Sequence, residues 1–510
     1  MNVTLTPENP EIPPLGKVIL YFPRFNTTQY PVWLPMEVMT IATALWDAGY
    51  QVRILDERME PQAEEILLKE AGEALFVGSS ARAGDQVFRT IELFCSLKHH
   101  SPHVTTVFGG WFPSTFPKMC LDIGPIDITV MGQGDNSVVE LADRLRQGKG
   151  LKGLDGVCAK SNGEIIENPY RAFEDINETP RIPFDRFPIE QYVTSDHCVS
   201  YYTSRGCSGK CLFCAIPALY PELWSGYSAE RVLDDMELLA QRFGVRIFKI
   251  HDTNFFPDFD RVRSICRGLI ERNLNVRWVV DVRIYDILRF DDEMWDLLAR
   301  SGCAELETGG ETGSNRMLEC VEKECRAEDI YQTALLSLNH GITIRFNFIL
   351  GLYGESRKDL LATLRLIDRL QALGEQVKLQ FFRYTPNPVT ELGAATWKSK
   401  SRSHSGVIPR DIESIIKIPI NEDRAELFWL SPAQERRVKR LYYFYLPLVY
   451  YYRGKGRSCI RRWILKRLID LARFRVRRGI TVFPFEQWFW EKYKGPLPKT
   501  REYEWQQDLC

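Results

Sequence analysis

Short apolar runs alternate with amphipathic helical stretches along most of this sequence, in two separate blocks. In the first block the predicted strands cover 18–22, 52–56, 74–78, 105–108 and 128–131, and the predicted helices lie near 36–48, 63–70, 86–98 and 137–146. Five alternations of strand and helix are the signature of a parallel, doubly wound α/β sheet. Ligands of such sheets bind beyond the carboxyl ends of the strands, which here lead into loops rich in glycine, serine and aromatic residues.

The second block runs from Cys198 to about Gly393 and repeats the alternation six times. Its predicted strands are 199–203, 246–251, 277–282, 304–308, 343–350 and 377–383, with helices at 229–243, 259–272, 292–300, 327–339 and 358–373. Six strand–helix units in about 200 residues fit an open partial barrel, since a complete eightfold barrel takes about 250 residues.

A hairpin at 156–169 and prolines at 180, 183 and 188 separate the two blocks. The sequence therefore predicts a Rossmann-like domain at 1–150, a hairpin and linker at 151–194, a partial (β/α)6 barrel at 195–395, and a basic, mostly helical C-terminal region at 396–510.

Composition excludes several protein classes. The 510 residues are 45% hydrophobic and 26% charged, which rules out disordered, collagenous and small disulfide-framework proteins. Neither a secretory signal nor a run of about 18 apolar residues is visible. We therefore expect a cytoplasmic protein whose 13 cysteines are reduced thiols, available for metal or cluster binding.

Three of these cysteines form a motif directly after the first barrel strand. Cys207, Cys211 and Cys214 are spaced CxxxCxxC, so that three thiolates on one loop can each bind one iron of a [4Fe–4S] cluster. Arg205 and Lys210 add positive charge that would favour thiolates. The alternatives are a zinc knuckle or three unrelated thiols. A closed zinc site needs four ligands, and no further Cys or His follows at the required spacing.

With this motif the second block resembles the radical S-adenosylmethionine (SAM) superfamily, whose hallmark is CxxxCxxC with an aromatic residue, here Phe213, before the last cysteine. The resemblance implies that the three cysteines bind a [4Fe–4S] cluster, that its fourth iron chelates SAM, and that Phe213 lies near the adenine. Softer matches at the ends of later strands add SAM-binding candidates: Asp252, Asn254, Glu311 and Gly351. The alternative for each is an ordinary strand end with a turn.

The order of the domains resembles that of cobalamin-binding radical SAM enzymes. Segments 105–115 and 130–141 are similar to the strand–loop segments of that family, which makes Gly109, Gly110, Gly132 and Gly134 candidate cobalamin contacts. A DxHxxG motif is absent, and Phe112 stands where relatives often have His, so no histidine is offered as lower cobalt ligand. A vestigial domain or another ligand remains the alternative.

If cobalamin binds, the resemblance implies SAM cleavage to a 5′-deoxyadenosyl radical and cobalamin-dependent methylation of an unactivated centre. The alternatives are radical cyclisation or rearrangement without methyl transfer, as in the anaerobic magnesium-protoporphyrin cyclases, and a non-catalytic cobalamin or cluster sensor. We expect a small-molecule or lipid-like substrate and an external electron donor such as flavodoxin or ferredoxin.

The net charge of −1 conceals a basic segment at 435–479, which has 15 Lys and Arg against two acids. The remainder of the chain carries −14. A basic helix with interspersed aromatic residues fits peripheral contact with an anionic membrane. The alternative is a helix that closes the barrel, with its arginine stems covering apolar surface. No nucleic-acid recognition module accompanies the charge, so a nucleic-acid partner is not expected.

Overall fold

The computed structural model describes residues 1–7, 13–24, 32–82, 84–161, 163–401, 427–451, 459–478 and 480. These residues form two compact units. The first contains 1–208 and 215–245, and the second contains 209–214, 246–401 and the described residues from 427 onward.

The first unit is built on an eight-stranded sheet with the order β1-β3-β2-β4-β5-β6-β7-β8. The strands are β1 (Asn2–Leu5), β2 (Lys17–Phe22), β3 (Gln51–Asp56), β4 (Ala74–Ser80), β5 (Thr106–Gly109), β6 (Ile128–Val130), β7 (Val157–Ser161) and β8 (Glu164–Glu167). The strands β2 to β6 are parallel, as the sequence predicts. The edges are antiparallel: β1 pairs with β3, and the hairpin β7–β8 joins β6.

Six helices connect these strands: α1 (Met36–Asp47), α2 (Ala63–Glu70), α3 (Asp85–His100), α4 (Trp111–Thr115), α5 (Pro117–Asp122) and α6 (Asp135–Arg146). The central strands are almost wholly apolar because helices cover both faces of a parallel sheet. Val18 and Ile19 of β2, for example, are fully buried. The chain moves from β2 to β3 on one side and to β4 on the other, so the strand order reverses at β2 and β4. Their carboxyl ends therefore open the crevice in which such sheets bind ligands.

The proline-rich linker contains short 3-10 turns at Ile176–Glu178, Phe184–Arg186 and Ile189–Gln191. The first unit then adds β9 (Cys198–Tyr201), β10 (Ser204–Gly206), α7 (Ile216–Leu219), β11 (Trp224–Gly226) and α8 (Ala229–Phe243). Helix α8 has clear local signals at both ends. Ser228 caps it by accepting a hydrogen bond from the Arg231 amide, and Gly244 ends it in the left-handed conformation.

The second unit contains five parallel strands that are neighbours in chain order: β12 (Ile247–Ile250), β13 (Arg277–Asp281), β14 (Cys303–Glu311), β15 (Thr343–Leu350) and β16 (Val377–Arg383). Its helices are α9 (Phe259–Glu271), α10 (Ile284–Ile287), α11 (Asp292–Arg300), α12 (Asn315–Cys320), α13 (Ala327–Asn339), α14 (Arg357–Gln371) and α15 (Glu391–Ser401). Sequential parallel strands joined by helices are the arrangement of the predicted partial barrel.

The C-terminal region begins with α16 (Pro432–Arg440), which continues into π-helical turns at Leu441–Tyr445 and Pro447–Tyr451. Helix α17 (Cys459–Arg478) follows and packs against α14. The rest of the predicted C-terminal region, including residues 402–426 and 481–510, lies outside the described residues. Among the helices that the structure describes, none is both long enough and apolar enough to cross a membrane.

Candidate functional site

The stem of the cysteine loop is fixed immediately before Cys207. Strand β10 pairs antiparallel with β11, and the Cys207 amide donates a hydrogen bond of 2.9 Å to the Leu223 carbonyl. Gly206 has φ +83°, and a Cβ there would lie 2.0 Å from the Leu223 oxygen. Only glycine fits this position, so the sequence itself forces the chain to turn where the motif begins.

The other end of the loop is held within the second unit. The Cys214 amide donates to the Cys211 carbonyl at 3.0 Å, which closes a turn. The Leu212 amide donates to the Val321 carbonyl at 3.1 Å, and the Leu212 carbonyl accepts from Leu392 at 3.0 Å. The backbone between the two cysteines is therefore anchored on both sides.

The exposure of the thiols separates the three motif cysteines from most of the others. Cys207, Cys211 and Cys214 are partly exposed, whereas Cys120, Cys158, Cys198, Cys266 and Cys303 are buried. Burial raises the pKa of the Cys120, Cys158, Cys266 and Cys303 thiols, which keeps them protonated and unsuited to binding iron.

The motif cysteines are divided between the two units. Cys207 belongs to the first unit, and Cys211 and Cys214 belong to the second. In the described part of the chain, no three or more His, Cys, Asp or Glu side chains are already gathered as a metal site. The donor set nevertheless suits a cluster, because three partly exposed thiols on one loop can each supply a thiolate.

A cavity of about 300 Å³, which we call the mouth pocket, lies within the second unit. It is lined by Phe213, Gly309, Glu311, Asn347, Ile349, Phe382, Arg383, Tyr384 and Thr385. Two of the predicted SAM-binding residues, Phe213 and Glu311, thus line one cavity beside the cysteine loop. The side-chain oxygens of Asn347 and Thr385 are buried without a hydrogen-bond partner, so the pocket has unused polar groups.

Glu311 is held in an unusual conformation at the end of β14. Its φ is +53°, rare for a residue other than glycine, and the pairing of β14 with β15 shifts register between Gly309 and Glu311. Its side chain is buried and forms an ion pair of 2.7 Å with Lys323. Burial alone would lower the pKa of Lys323, but the negative charges of Glu311 and Cys211 outweigh it and raise the pKa above its usual value.

The other predicted SAM-binding residues do not line the mouth pocket. The Asn254 side chain donates to Asp286 at 2.8 Å and accepts from the Phe256 amide at 3.3 Å, so it supports the loop after β12. Asp252 is buried, and its charge helps to raise the pKa of Asp281. Gly351 turns the chain after β15 at φ +78°, and its carbonyl accepts a hydrogen bond of 2.7 Å from the Trp429 indole.

One face of the sheet in the second unit carries a row of charges that are buried or partly buried. Asp281, Glu307, Arg345 and Lys378 stand in register on β13 to β16. Arg345 and Lys378 both pair with Glu305, at 2.6 and 2.9 Å, and Lys249 pairs with Glu307 at 2.6 Å. Burial raises the pKa of Asp281 to about 7. The apolar pattern of these strands does not predict such a row, because the pairing of its charges depends on the register between strands.

The predicted cobalamin glycines lie at the carboxyl ends of β5 and β6 in the first unit. Gly110 has φ +97°, and a Cβ there would lie 2.6 Å from the Ala81 carbonyl, whereas Gly132 has φ +69°. Gly109 and Gly134 have no positive φ. The Gly132 amide donates to Ser114 Oγ at 2.9 Å, which ties the two loops together. Both loops therefore need glycine for backbone reasons alone, whatever ligand they meet.

The loop after β6 is joined to the stem of the cysteine loop by an ion pair whose acidic partner is buried. Asp135, the first residue of α6, binds Arg205 through both of its carboxylate oxygens. Burial would raise the pKa of Asp135, but the charge and hydrogen bonds of Arg205 outweigh it and hold the pKa below its usual value. The charge of Arg205 is thus neutralised, contrary to the expectation that it favours the thiolates.

Two family matches cover much of the chain. Residues 26–142 match the B12 binding domain, and residues 201–367 match the radical SAM superfamily. The two matches follow the predicted order of domains. The matched families imply cobalamin for the first region and a [4Fe–4S] cluster with SAM for the second, which are the cofactors that the sequence predicts.

Two relatives are each 27% identical to this chain over their aligned parts. One is an uncharacterised methyltransferase of Pyrococcus horikoshii, aligned over 298 residues that make up 58% of this chain and 63% of that protein. The other is the anaerobic magnesium-protoporphyrin IX monomethyl ester cyclase of Rubrivivax gelatinosus, aligned over 354 residues with 66% of this chain and 62% of that protein. The chain thus spans less than two thirds of either relative.

A solved structure similar to this chain is that of the radical SAM methyltransferase TsrM of Kitasatospora setae, which contains cobalamin and a [4Fe–4S] cluster. It aligns with a TM-score of 0.62 at 20% identity and covers 76% of this chain and 78% of that one. This likeness confirms the predicted fold: a Rossmann-like domain followed by a partial barrel.

Proposed function

We infer that this chain, a radical SAM enzyme with an N-terminal B12-binding domain, methylates an unactivated centre of a small-molecule substrate in a cobalamin-dependent reaction. The observation that carries the proposal is the combination of a matched B12-binding domain with a matched radical SAM domain that keeps an intact CxxxCxxC motif. A cobalamin sensor has no need of the complete cysteine motif, which favours the enzyme over that alternative, and a cluster sensor would form no 5′-deoxyadenosine from SAM.

Cys207, Cys211 and Cys214 would bind the cluster. When bound and reduced, the cluster supplies one electron that breaks a carbon–sulfur bond of SAM, giving methionine and a 5′-deoxyadenosyl radical able to take a hydrogen atom from the substrate. The electron comes from an external donor, for which flavodoxin or ferredoxin is suited. Cobalamin would supply the methyl group, and its remethylation would take a second electron from the same external donor and the methyl group of a second SAM, leaving S-adenosylhomocysteine.

The mouth pocket is the proposed site of SAM, because it lies beside Phe213 and contains both apolar and polar groups. Its volume of about 300 Å³ is at the lower end of the range for small-molecule sites. Glu311 is suited to the amino group of SAM, and the unpartnered Asn347 oxygen is suited to a hydroxyl donor such as those of ribose. Asp252, Asn254 and Gly351 would act indirectly, by fixing the conformation of the loops around the site.

The four cobalamin candidates, Gly109, Gly110, Gly132 and Gly134, lie in two adjacent loops that suit a large flat ligand. The backbone at Gly110 lies close to the end of β4, and Ser114 joins the two loops, so the carboxyl edge of the sheet is preformed. A preformed edge reduces the entropy that would be lost when the ligand binds.

The test is anaerobic reconstitution with iron, sulfide and hydroxocobalamin, followed by incubation with SAM and a reductant. Chromatography then measures 5′-deoxyadenosine and S-adenosylhomocysteine. We expect both products, and we expect Cys214→Ala to abolish 5′-deoxyadenosine while Cys320→Ala, which alters an exposed cysteine outside the motif, leaves it unchanged. Formation of 5′-deoxyadenosine alone, once the substrate is supplied, would favour cyclisation or rearrangement. Formation of neither product would refute the enzyme proposal.

A further inference from the structure

The Glu311 carboxylate is folded back over Gly309 at the end of β14. A Cβ at Gly309 would lie 1.8 Å from Glu311 Oε1 and 2.6 Å from Lys323 Nζ. The absence of a side chain at residue 309 is therefore what allows the carboxylate and the ammonium group to meet. The left-handed backbone of Glu311 and the lack of a side chain at Gly309 together allow this one placement of the carboxylate.

Lys323 follows α12, in a segment that is itself held in an unusual conformation. Glu322 and Glu324, its two neighbours, have φ of +52° and +55°. The Lys323 amide donates to the Leu318 carbonyl at 3.0 Å, which keeps the segment against the end of α12. Lys323 therefore has one left-handed residue on each side, a strained backbone that persists only where the surrounding structure holds it in place.

The same segment is attached to the cysteine loop. The carbonyl of Val321 accepts the hydrogen bond from Leu212, the residue that directly follows Cys211. The Lys323 ammonium group lies 5.9 Å from the centre of the Phe213 ring, within the range of a cation–π contact. Its charge also interacts with Cys211. Lys323 thus contacts the candidate SAM acid on one side and the cysteine loop on the other.

Stability alone does not account for this arrangement. A buried ion pair contributes little net stability, because the loss of hydration offsets the attraction of the charges. Here the ion pair is accompanied by a strained backbone at Glu311 and at the two neighbours of Lys323. It also requires glycine at residue 309, because a side chain there would displace the Glu311 carboxylate. Strained backbone conformations of this kind occur mostly at active sites and ligand-binding sites.

We propose that Lys323 is a positioning residue that holds the Glu311 carboxylate and the loop of Cys211 and Phe213 in one fixed arrangement. SAM can then bind to the Glu311 carboxylate and to the cluster at the same time. The proposal rests on the proposed function of the mouth pocket. Lys323 acts through Glu311 and the loop.

The test is a double-mutant cycle on SAM binding. The variants are Lys323→Met, Glu311→Gln and the double variant, with Lys323→Arg as the conservative change and Lys358→Met as a matched control on the exposed first turn of α14. Each protein is reconstituted anaerobically and assayed for iron. The dissociation constant of SAM is then measured by equilibrium dialysis, and the change that SAM causes in the electron paramagnetic resonance spectrum of the reduced cluster is recorded.

We expect Lys323→Met to weaken SAM binding about tenfold or more, and to alter the spectrum of the SAM-bound cluster, while iron content stays at the wild-type level. Lys323→Arg should recover most of the affinity, and Lys358→Met should behave as wild type. The part of the Lys323 effect that passes through Glu311 is already lost in Glu311→Gln, so adding Lys323→Met to that variant should weaken binding clearly less than Lys323→Met weakens it in the wild type.

Two results would overturn the proposal: a Lys323→Met variant that binds SAM as tightly as wild type, or effects of the two single variants that multiply in the double variant. If Lys323→Met loses iron because Glu311 is left unpaired, the double variant, which removes both charges, should load normally. Loss of iron from both would mean that Lys323 serves loop folding instead, which also refutes the proposal. Failure of the wild-type protein to bind SAM would instead refute the proposed function.

Discussion

Replacing Asp135 by alanine would leave the Arg205 guanidinium, whose side chain is only 25% exposed, without its carboxylate. Asp135 is 2% exposed and binds Arg205 through both oxygens, and Arg205 has Thr40 Oγ1, at 3.3 Å, as a further partner. The pair joins the start of α6 to strand β10. We therefore expect Asp135→Ala to destabilise the first unit strongly.

The magnitude follows from the burial of the pair. Removing one partner of a buried ion pair costs about 3–5 kcal/mol, since an uncompensated charge stays behind. For a unit of roughly 200 residues, each kcal/mol lowers the melting temperature by about 2–4 °C. The expected decrease is therefore about 10 °C.

Thermal unfolding of the cofactor-free protein, followed by circular dichroism, measures this decrease. The double variant Asp135→Leu with Arg205→Met removes both charges and keeps apolar volume, so it should recover most of the loss. Asp47→Ala, which removes an exposed acid at the end of α1, should change stability by no more than about 0.5 kcal/mol. A single variant that melts within about 2 °C of wild type, or a double variant as unstable as the single one, would refute the reasoning.

Three further predictions concern the second unit. Gly309→Ala places a methyl group where the Glu311 carboxylate lies, so SAM affinity should fall about tenfold or more in equilibrium dialysis while iron content is retained; unchanged affinity would contradict the geometry. Burial raises the pKa of Glu355 to about 8, so between about pH 4.5 and 8 the folded state keeps a proton that the unfolded chain releases, and stability falls as the pH rises. Glu355→Gln should therefore raise the melting temperature at pH 8 and much less at pH 5, whereas an equal effect at both would refute this cause. If residues 435–479 contact membranes, the protein should float with anionic liposomes at low salt and not at high salt, and absence of flotation at low salt would leave α17 as a helix that only covers α14.

The sequence predicts the regular elements well because their signals are local. Helix α13 and strands β15 and β16 begin and end at the residues predicted from the sequence. Apolar runs mark the strands, and a capping box at Ser356 marks the start of α14. Strand β1 and the attachment of the β7–β8 hairpin to the sheet were missed because strand pairing at a sheet edge depends on distant residues.

The candidate site is predictable from the sequence only where a residue type, in its spacing, has few other roles that it could play. Cysteine spacing predicts the loop of Cys207, Cys211 and Cys214 as the cluster site, and the polar strand end predicts Glu311, which lines the mouth pocket. The role proposed for Lys323 is not predictable from the sequence, because it depends on pairing across the fold and Lys323 is one charge among several in a polar stretch. Asn254 was predicted at the site, but it hydrogen-bonds to Asp286 and the Phe256 amide, and a buried polar side chain of either role looks the same in sequence.

The central claim is that one chain binds both a [4Fe–4S] cluster and cobalamin. Metal analysis after anaerobic reconstitution and removal of free cofactors tests it most directly, with Cys211→Ala measured beside the wild type. We predict about four irons and one cobalt per wild-type chain, and loss of iron with retention of cobalt in the variant. A wild-type protein with a full complement of iron and no cobalt would contradict the claim.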